Sequence, residues 1–216
     1  MDLYPPNTVV PIYLLFAAAG VALTGLRFWT RHRYRLRVGL DDWFALVALV
    51  IVCTCVSIQT YNAIDGEGGR AVSPEDADRA AILEYKVQLA TLVIEKPAFG
   101  FIKLSLLFFY KRIFAPWRIF RILNYVMVGV VVVWFLSFMT ADLLICGSHL
   151  EYSWLIDQTI AGRHCGNKGI LLLMFGATSV LTDLLVLLLP LLYVQKLQMS
   201  TFKKWAAAGV FFLGFT

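Results

Sequence analysis

The residues of this chain that could do chemistry are ionisable side chains set inside apolar runs. Glu95, Lys96 and Lys103 lie in the stretch Glu95 to Phe114, which is otherwise rich in Phe, Leu and Ile and stops on the basic pair Lys111-Arg112. Asp142 and Asp183 sit in two later runs of the same kind. A charge facing hydrocarbon costs about 3 kcal/mol or more, so such groups turn inward, find partners and commonly mark ion paths, proton relays or ligand sites. At about 100° per residue, Lys96, Gly100, Lys103, Leu107 and Tyr110 share one narrow helix face, while Phe101, Phe108 and Ile113 point elsewhere. That face is expected to look into a helix bundle.

A second constellation is Gly39-Leu40-Asp41-Asp42-Trp43. Paired carboxylates at a helix start lie against the positive end of the macrodipole, which is the simplest account of Asp41 and Asp42. The sharper readings are a metal site or a site paired with arginine. A magnesium site needs further carboxylates on the same side, and the neighbouring loops supply bases. A third constellation is Cys146, His149, His164 and Cys165, whose residue types also suit zinc. On the outer side of a membrane the oxidising environment favours a disulfide between Cys146 and Cys165 over a zinc site. Cys53 and Cys55 fall within an apolar run and are expected to behave as small hydrophobes. No nucleophile with a base, Gly-rich phosphate cradle or His-x-x-x-His pair occurs, so neither catalysis nor a bound cofactor is expected.

The elements that must position these residues follow from composition. Hydrophobic residues make up 60% of the chain and charged ones 15%, against roughly 25% charged in a soluble domain. The net charge of +5 would suit nucleic acid if it formed one surface, but the bases cluster between apolar runs, as membrane topology requires. The expectation is an all-α polytopic transmembrane bundle forming one domain over residues 1 to 216, embedded in a lipid bilayer. Spans are expected near 9–30, 42–62, 85–110, 122–145 and 170–194, with a partial sixth at 205–216, each complete one having the ~20 apolar residues that cross a bilayer. Pro190 should bend the fifth. Ser73-Pro74-Glu75-Asp76 has the form of a helix start that would extend span three beyond the membrane. Basic segments at 31–39, 111–121 and 195–204 are expected in the cytosol, which puts the N-terminus outside. Asp41, Asp42, Lys111 and Arg112 would then form a cytoplasmic-face motif.

Gly39 to Trp43, Lys103 to Phe114, the cysteine pair around Trp154, and Thr182-Asp183 with Pro190 and Leu197-Gln198-Met199 resemble the fungal rhodopsin-domain family. These are integral membrane proteins of receptor-like, seven-helix architecture, some linked to host sensing and others encoded in secondary-metabolite clusters. The resemblance implies a receptor for an extracellular small molecule or surface cue, in the plasma membrane, with signalling partners at its basic inner loops. Its alternative is a small-metabolite transporter or an accessory membrane protein of a biosynthetic cluster. This chain has Ser148 where the family often has proline, and it stops within the sixth expected span. Lys96 and Lys103 lie on span three rather than on the last helix, where retinal proteins carry their Schiff-base lysine, so no photochemistry is implied. Because spans three and five are neighbours in such bundles, Lys103 and Asp183 are expected to pair, with Glu95 and Lys96 in a second polar layer nearer Asp142. The competing arrangement has Lys103 snorkelling to the headgroups and Asp183 protonated or hydrogen-bonded to Ser179 or Thr182.

Overall fold

In the computed structural model, residues 6–65, 77–114, 117–147 and 165–194 are described, and all of their regular structure is helical. The helices are α1 (Pro6–Arg33), α2 (Leu40–Asp65), α3 (Ala77–Ile113), α4 (Arg118–Leu143) and α5 (Lys168–Val194). The expected partial sixth span, the Ser73 helix start and the segment 195–204 lie outside the described residues, as do Ser148, His149, Trp154 and His164. Among the described residues four helices, all but α3, are long and apolar enough to cross a membrane, so the chain is a helical membrane bundle. α3 carries more charge, and three of the others pack on it: α2 and α4 along much of its length, and α5, while α1 packs on α2. Its 37 residues reach about 55 Å at 1.5 Å per residue.

Most helix ends lie beyond the expected span limits. α4 begins at Arg118 rather than near Ile122, although it ends at Leu143, before residue 145, and α3 is helical from Ala77, ahead of residue 85, in the direction of the extension expected for span three. Apolar patterning marks where a helix enters hydrocarbon, whereas the backbone stays helical through the interface wherever its polar groups still pair along the chain. α5 continues through Pro190 to Val194, the end expected for its span.

Packing follows the face deduced from spacing. Lys96, Lys103, Leu107 and Tyr110 are each at most 4% exposed, whereas Ile113 is 48% exposed. Leu104, Leu107, Phe120, Val131, Phe135 and Val186 form the apolar core between α3, α4 and α5. Phe101 joins two sides of α3, stacking on Phe44 of α2 at 5.8 Å and lying 6.0 Å from Phe135 of α4. Glycine permits the closest approach of α3 to α4. A Cβ on Gly100 would lie 2.4 Å from the Phe135 ring, whereas one on Gly129 would meet nothing within 4 Å. Gly100→Ala should therefore lower thermal stability by about 1–3 kcal/mol through overpacking. Gly129→Ala should be neutral or slightly stabilising, since alanine is the better helix former by about 1 kcal/mol.

α1 ends in a Schellman motif. The Leu36 N–H donates to Arg31 O at 2.9 Å and the Arg35 N–H to His32 O at 3.2 Å, with Arg35 in the left-handed region at φ 50°. Glycine usually fills that position because it alone enters the region without a Cβ penalty. Here an arginine fills it.

Candidate polar sites within the bundle

Three polar layers are stacked along α3. The layer nearest the α1–α2 connection is built from the two carboxylates that open α2. Arg27 and Arg31 are four residues apart on α1 and so share a face. Each spans both acids with one guanidinium edge: Arg27 Nη2 lies 2.7 Å from Asp41 and Nε 2.8 Å from Asp42, while Arg31 Nη2 lies 2.5 Å from Asp41 and Nε 3.2 Å from Asp42. The third edge of Arg27 donates to Ser105 Oγ of α3 at 3.1 Å, and Ser105 donates to the Asp41 carbonyl at 2.7 Å. Asp42 also accepts from the Gly39 N–H at 3.0 Å. It thus reaches back to the residue before the helix, as the third residue of a capping box does.

The helix-dipole account of these acids is therefore incomplete. Asp41 and Asp42 are 2% and 0% exposed, and two buried anions need full countercharges as well as a dipole. The sharper sequence reading, pairing with arginine, describes their geometry. The expected motif also includes Lys111 and Arg112. Lys111 Nζ lies over the Tyr125 ring at 4.7 Å and the Phe108 ring at 5.6 Å. Arg112 reaches the edge of the layer, where its Nη1 would lie 3.6 Å from a Cβ on Gly39. The same Cβ would sit 2.2 Å from Asp41 Oδ1, so Gly39 keeps open the space into which the acid is drawn.

The middle layer centres on Lys103. Its ammonium donates to Ser179 O at 2.8 Å, Ser179 Oγ at 3.1 Å and Thr182 Oγ1 at 2.7 Å, and it lies 3.0 Å from Asp183 Oδ1. Four acceptors around three protons leave no donor to spare. Lys103 is 2% exposed and stays in the interior instead of snorkelling. Asp183, by contrast, has a side chain 49% exposed among the described residues.

The third layer holds Lys96 between two acids. Its Nζ lies 2.6 Å from Glu95 Oε1 and 3.5 Å from Asp142 Oδ2. The middle and third layers are joined by aromatic faces. Lys103 lies 4.7 Å from the Trp134 ring centre, Trp134 stacks on Phe175 at 5.0 Å, and Lys96 lies 4.1 Å from the Phe175 ring. A cation resting on each outer face of a stacked pair is favourable because both ring faces carry partial negative charge. The Trp134 indole N–H fixes the stack by donating to Thr178 Oγ1 of α5 at 2.9 Å. Trp134 and Phe175 had no signal of their own in the sequence, since single aromatics on apolar helices ordinarily face lipid or core. The arginines had one: the i, i+4 spacing of Arg27 and Arg31 just ahead of an acidic pair.

At the far end, Cys146 and Cys165 are joined by a disulfide. The Gly166 N–H donates to Ile145 O at 2.7 Å beside it, tying the end of α4 to the start of α5. The paired sulfurs are not thiolates, so the zinc alternative loses two of its four ligands. Closing a loop of this length should stabilise the fold by about 3 kcal/mol. Reductant should lower thermal stability by that amount in the native chain and leave a Cys146→Ser/Cys165→Ser variant, already lowered, unchanged. Among the described residues no group of three His, Cys, Asp or Glu side chains is placed to hold a metal.

The sequence pattern of the fungal rhodopsin domain matches residues 26–216. The chain is 24% identical over 213 residues to "Receptor GIN3" of Arthrobotrys oligospora, covering 95% of this chain and 49% of that protein. It is 28% identical over 210 residues to "Wortmanamides biosynthesis cluster protein C" of Talaromyces wortmannii, covering 94% of this chain and 55% of that protein. A "SAT4 family membrane protein" of Emericella nidulans is 28% identical over 160 residues, covering 74% of this chain and 40% of that protein. The chain thus spans about half the length of the curated relatives it matches. No solved structure matches it. By the extent of the domain match, this chain belongs to the fungal rhodopsin domain family of membrane proteins.

Proposed function

We propose that this chain acts as a receptor that senses an extracellular small molecule or surface cue and relays it to cytosolic partners at its basic loops. The observation that carries this reading is the continuous link through α3. The outer polar layer and its aromatic stack join α3 to α4 and α5, and the arginine–aspartate layer joins α3 to α1 and α2. A shift of α3 against α4 or α5 at one end would therefore disturb packed ionic contacts at the other, and packed interfaces of this kind tend to have discrete rather than graded arrangements. The receptor-named relative supports the same reading. On this reading the N-terminus lies outside, the basic segments 31–39, 111–121 and 195–204 face the cytosol, the membrane is the plasma membrane, and no catalytic step is involved.

A small-metabolite transporter or an accessory protein of a biosynthetic cluster is the second reading, favoured by the relative named for wortmanamide biosynthesis. One preparation tests both. The full chain carrying a fluorophore at Arg118→Cys is reconstituted in vesicles and challenged with fractions of host-surface extract and of secondary metabolites. A fluorescence change without accumulation inside the vesicles supports the receptor; accumulation of a solute supports the transporter and rejects it. Orientation is read separately. Arg35→Cys in intact cells should react with membrane-impermeant maleimide only after permeabilisation, and labelling from outside would reverse the topology.

A further inference from the structure

The bend that follows α1 carries more positive charge than the fold uses. Arg31 is committed to Asp41 and Asp42, but Arg33, Arg35 and Arg37 are exposed and meet no acid among the described residues. They line a cleft of about 760 Å³ whose apolar wall is Phe28, Leu36 and Val38. Trp29 and Tyr34, 64% and 73% exposed, flank it with the side chains that favour a membrane–water interface. The backbone adds a second observation. Arg35 holds the left-handed position of the Schellman motif, where glycine would relieve the steric cost of a Cβ.

We infer that this cleft binds the headgroup of an anionic phospholipid, with the phosphate among Arg33, Arg35 and Arg37 and the upper acyl chain against Phe28, Leu36 and Val38. Three points favour a lipid over a soluble anion. The cleft lies at the end of a span that is apolar and exposed along most of its length. Three of its eight lining residues are apolar, a surface that a free phosphate would leave unused. Guanidinium groups recognise phosphate through paired donors, and a basic cluster next to a span attracts anionic lipid by about 1 kcal/mol per charge. The site does not depend on the sensing role proposed above.

The test uses the full chain in nanodiscs of phosphatidylcholine mixed with phosphatidylserine or phosphatidylinositol 4,5-bisphosphate. Lipid retained by the protein after release into detergent is counted by native mass spectrometry. The native chain should retain the anionic lipid in preference to phosphatidylcholine. Arg35→Gly should reduce that preference about 5-fold, the equivalent of one charge at about 1 kcal/mol, while preserving or raising thermal stability because it relieves the backbone. Arg33→Gln/Arg35→Gly/Arg37→Gln should abolish the preference, and Arg118→Gln/Arg121→Gln in the α3–α4 region should not. Nanodiscs expose both membrane surfaces, so the result stands whichever way the chain is oriented in cells. An unselective native chain, a triple variant as selective as the native one, or full displacement by millimolar inorganic phosphate at fixed ionic strength would each overturn the assignment.

Discussion

Asp183→Leu and Lys103→Met should each lower the stability of the bundle by about 3–5 kcal/mol, and the two together should cost less than either alone. Each single change strands a charge. Removing the acid leaves an ammonium 2% exposed with hydrogen bonds to Ser179 and Thr182 but no countercharge. Removing the lysine leaves a carboxylate in the middle of an apolar helix without the cation 3.0 Å away. In the double variant neither charge remains, and the Thr182 hydroxyl keeps its bond to the Thr178 carbonyl at 2.9 Å within its own helix. Replacing a buried pair by apolar side chains is often close to neutral for this reason. Thermal unfolding in detergent gives the cycle directly. Strictly additive losses would mean that the 3.0 Å separation carries no coupling and that Lys103 is held by the α5 hydroxyls and carbonyl alone.

Residues on one helix were the most legible in the sequence. Lys96, Lys103, Leu107 and Tyr110 could be assigned to one face because helical geometry alone relates them. Relations between helices were legible only with the family resemblance, which makes spans three and five neighbours; depth along the two spans then matched Lys103 with Asp183 and left Glu95 and Lys96 for a layer nearer Asp142. The arginine–aspartate layer was obscured because Arg27 and Arg31 also read as topology signals at the end of a span; only their i, i+4 spacing ahead of the acidic pair pointed toward the next helix. The aromatic stack of Trp134 and Phe175 was invisible, because its role depends on which of many similar aromatic residues the packing of α4 on α5 brings face to face. Asn124 shows the same limit. It is 1% exposed, and neither polar atom of its side-chain amide has a partner among the described residues; in the sequence it is one polar residue near the start of a span.

The arginine–aspartate layer makes the sharpest demand on side-chain identity. It holds two cations and two anions, so it is formally neutral, but its geometry is specific to guanidinium: each arginine bridges both carboxylates through Nε and Nη2. A lysine supplies one point charge on a flexible stem and cannot present two donors in a fixed plane. Arg27→Lys should therefore keep the charge balance and still lose stability. Hydrogen bonds to charged groups are worth about 1.5–3 kcal/mol each, and losing one of the two carboxylate bridges together with the Ser105 contact should cost about 2–4 kcal/mol. Asp42→Asn should cost about 3–5 kcal/mol, because two guanidinium groups then share one carboxylate in a site where the acid was 0% exposed. At about 2–4 °C per kcal/mol for a chain of this size, the second loss lowers the melting temperature by roughly 10 °C. The effect should also be spatially polarised. Asp42→Asn should loosen the α1–α2 and α2–α3 contacts near residues 27–42 and 105, where hydrogen exchange would rise first, while exchange in α5 stays close to that of the native chain. Arg27→Lys with native stability would show that charge balance alone holds the layer. Equal loosening of α5 in Asp42→Asn would show that the bundle opens as one cooperative unit rather than layer by layer.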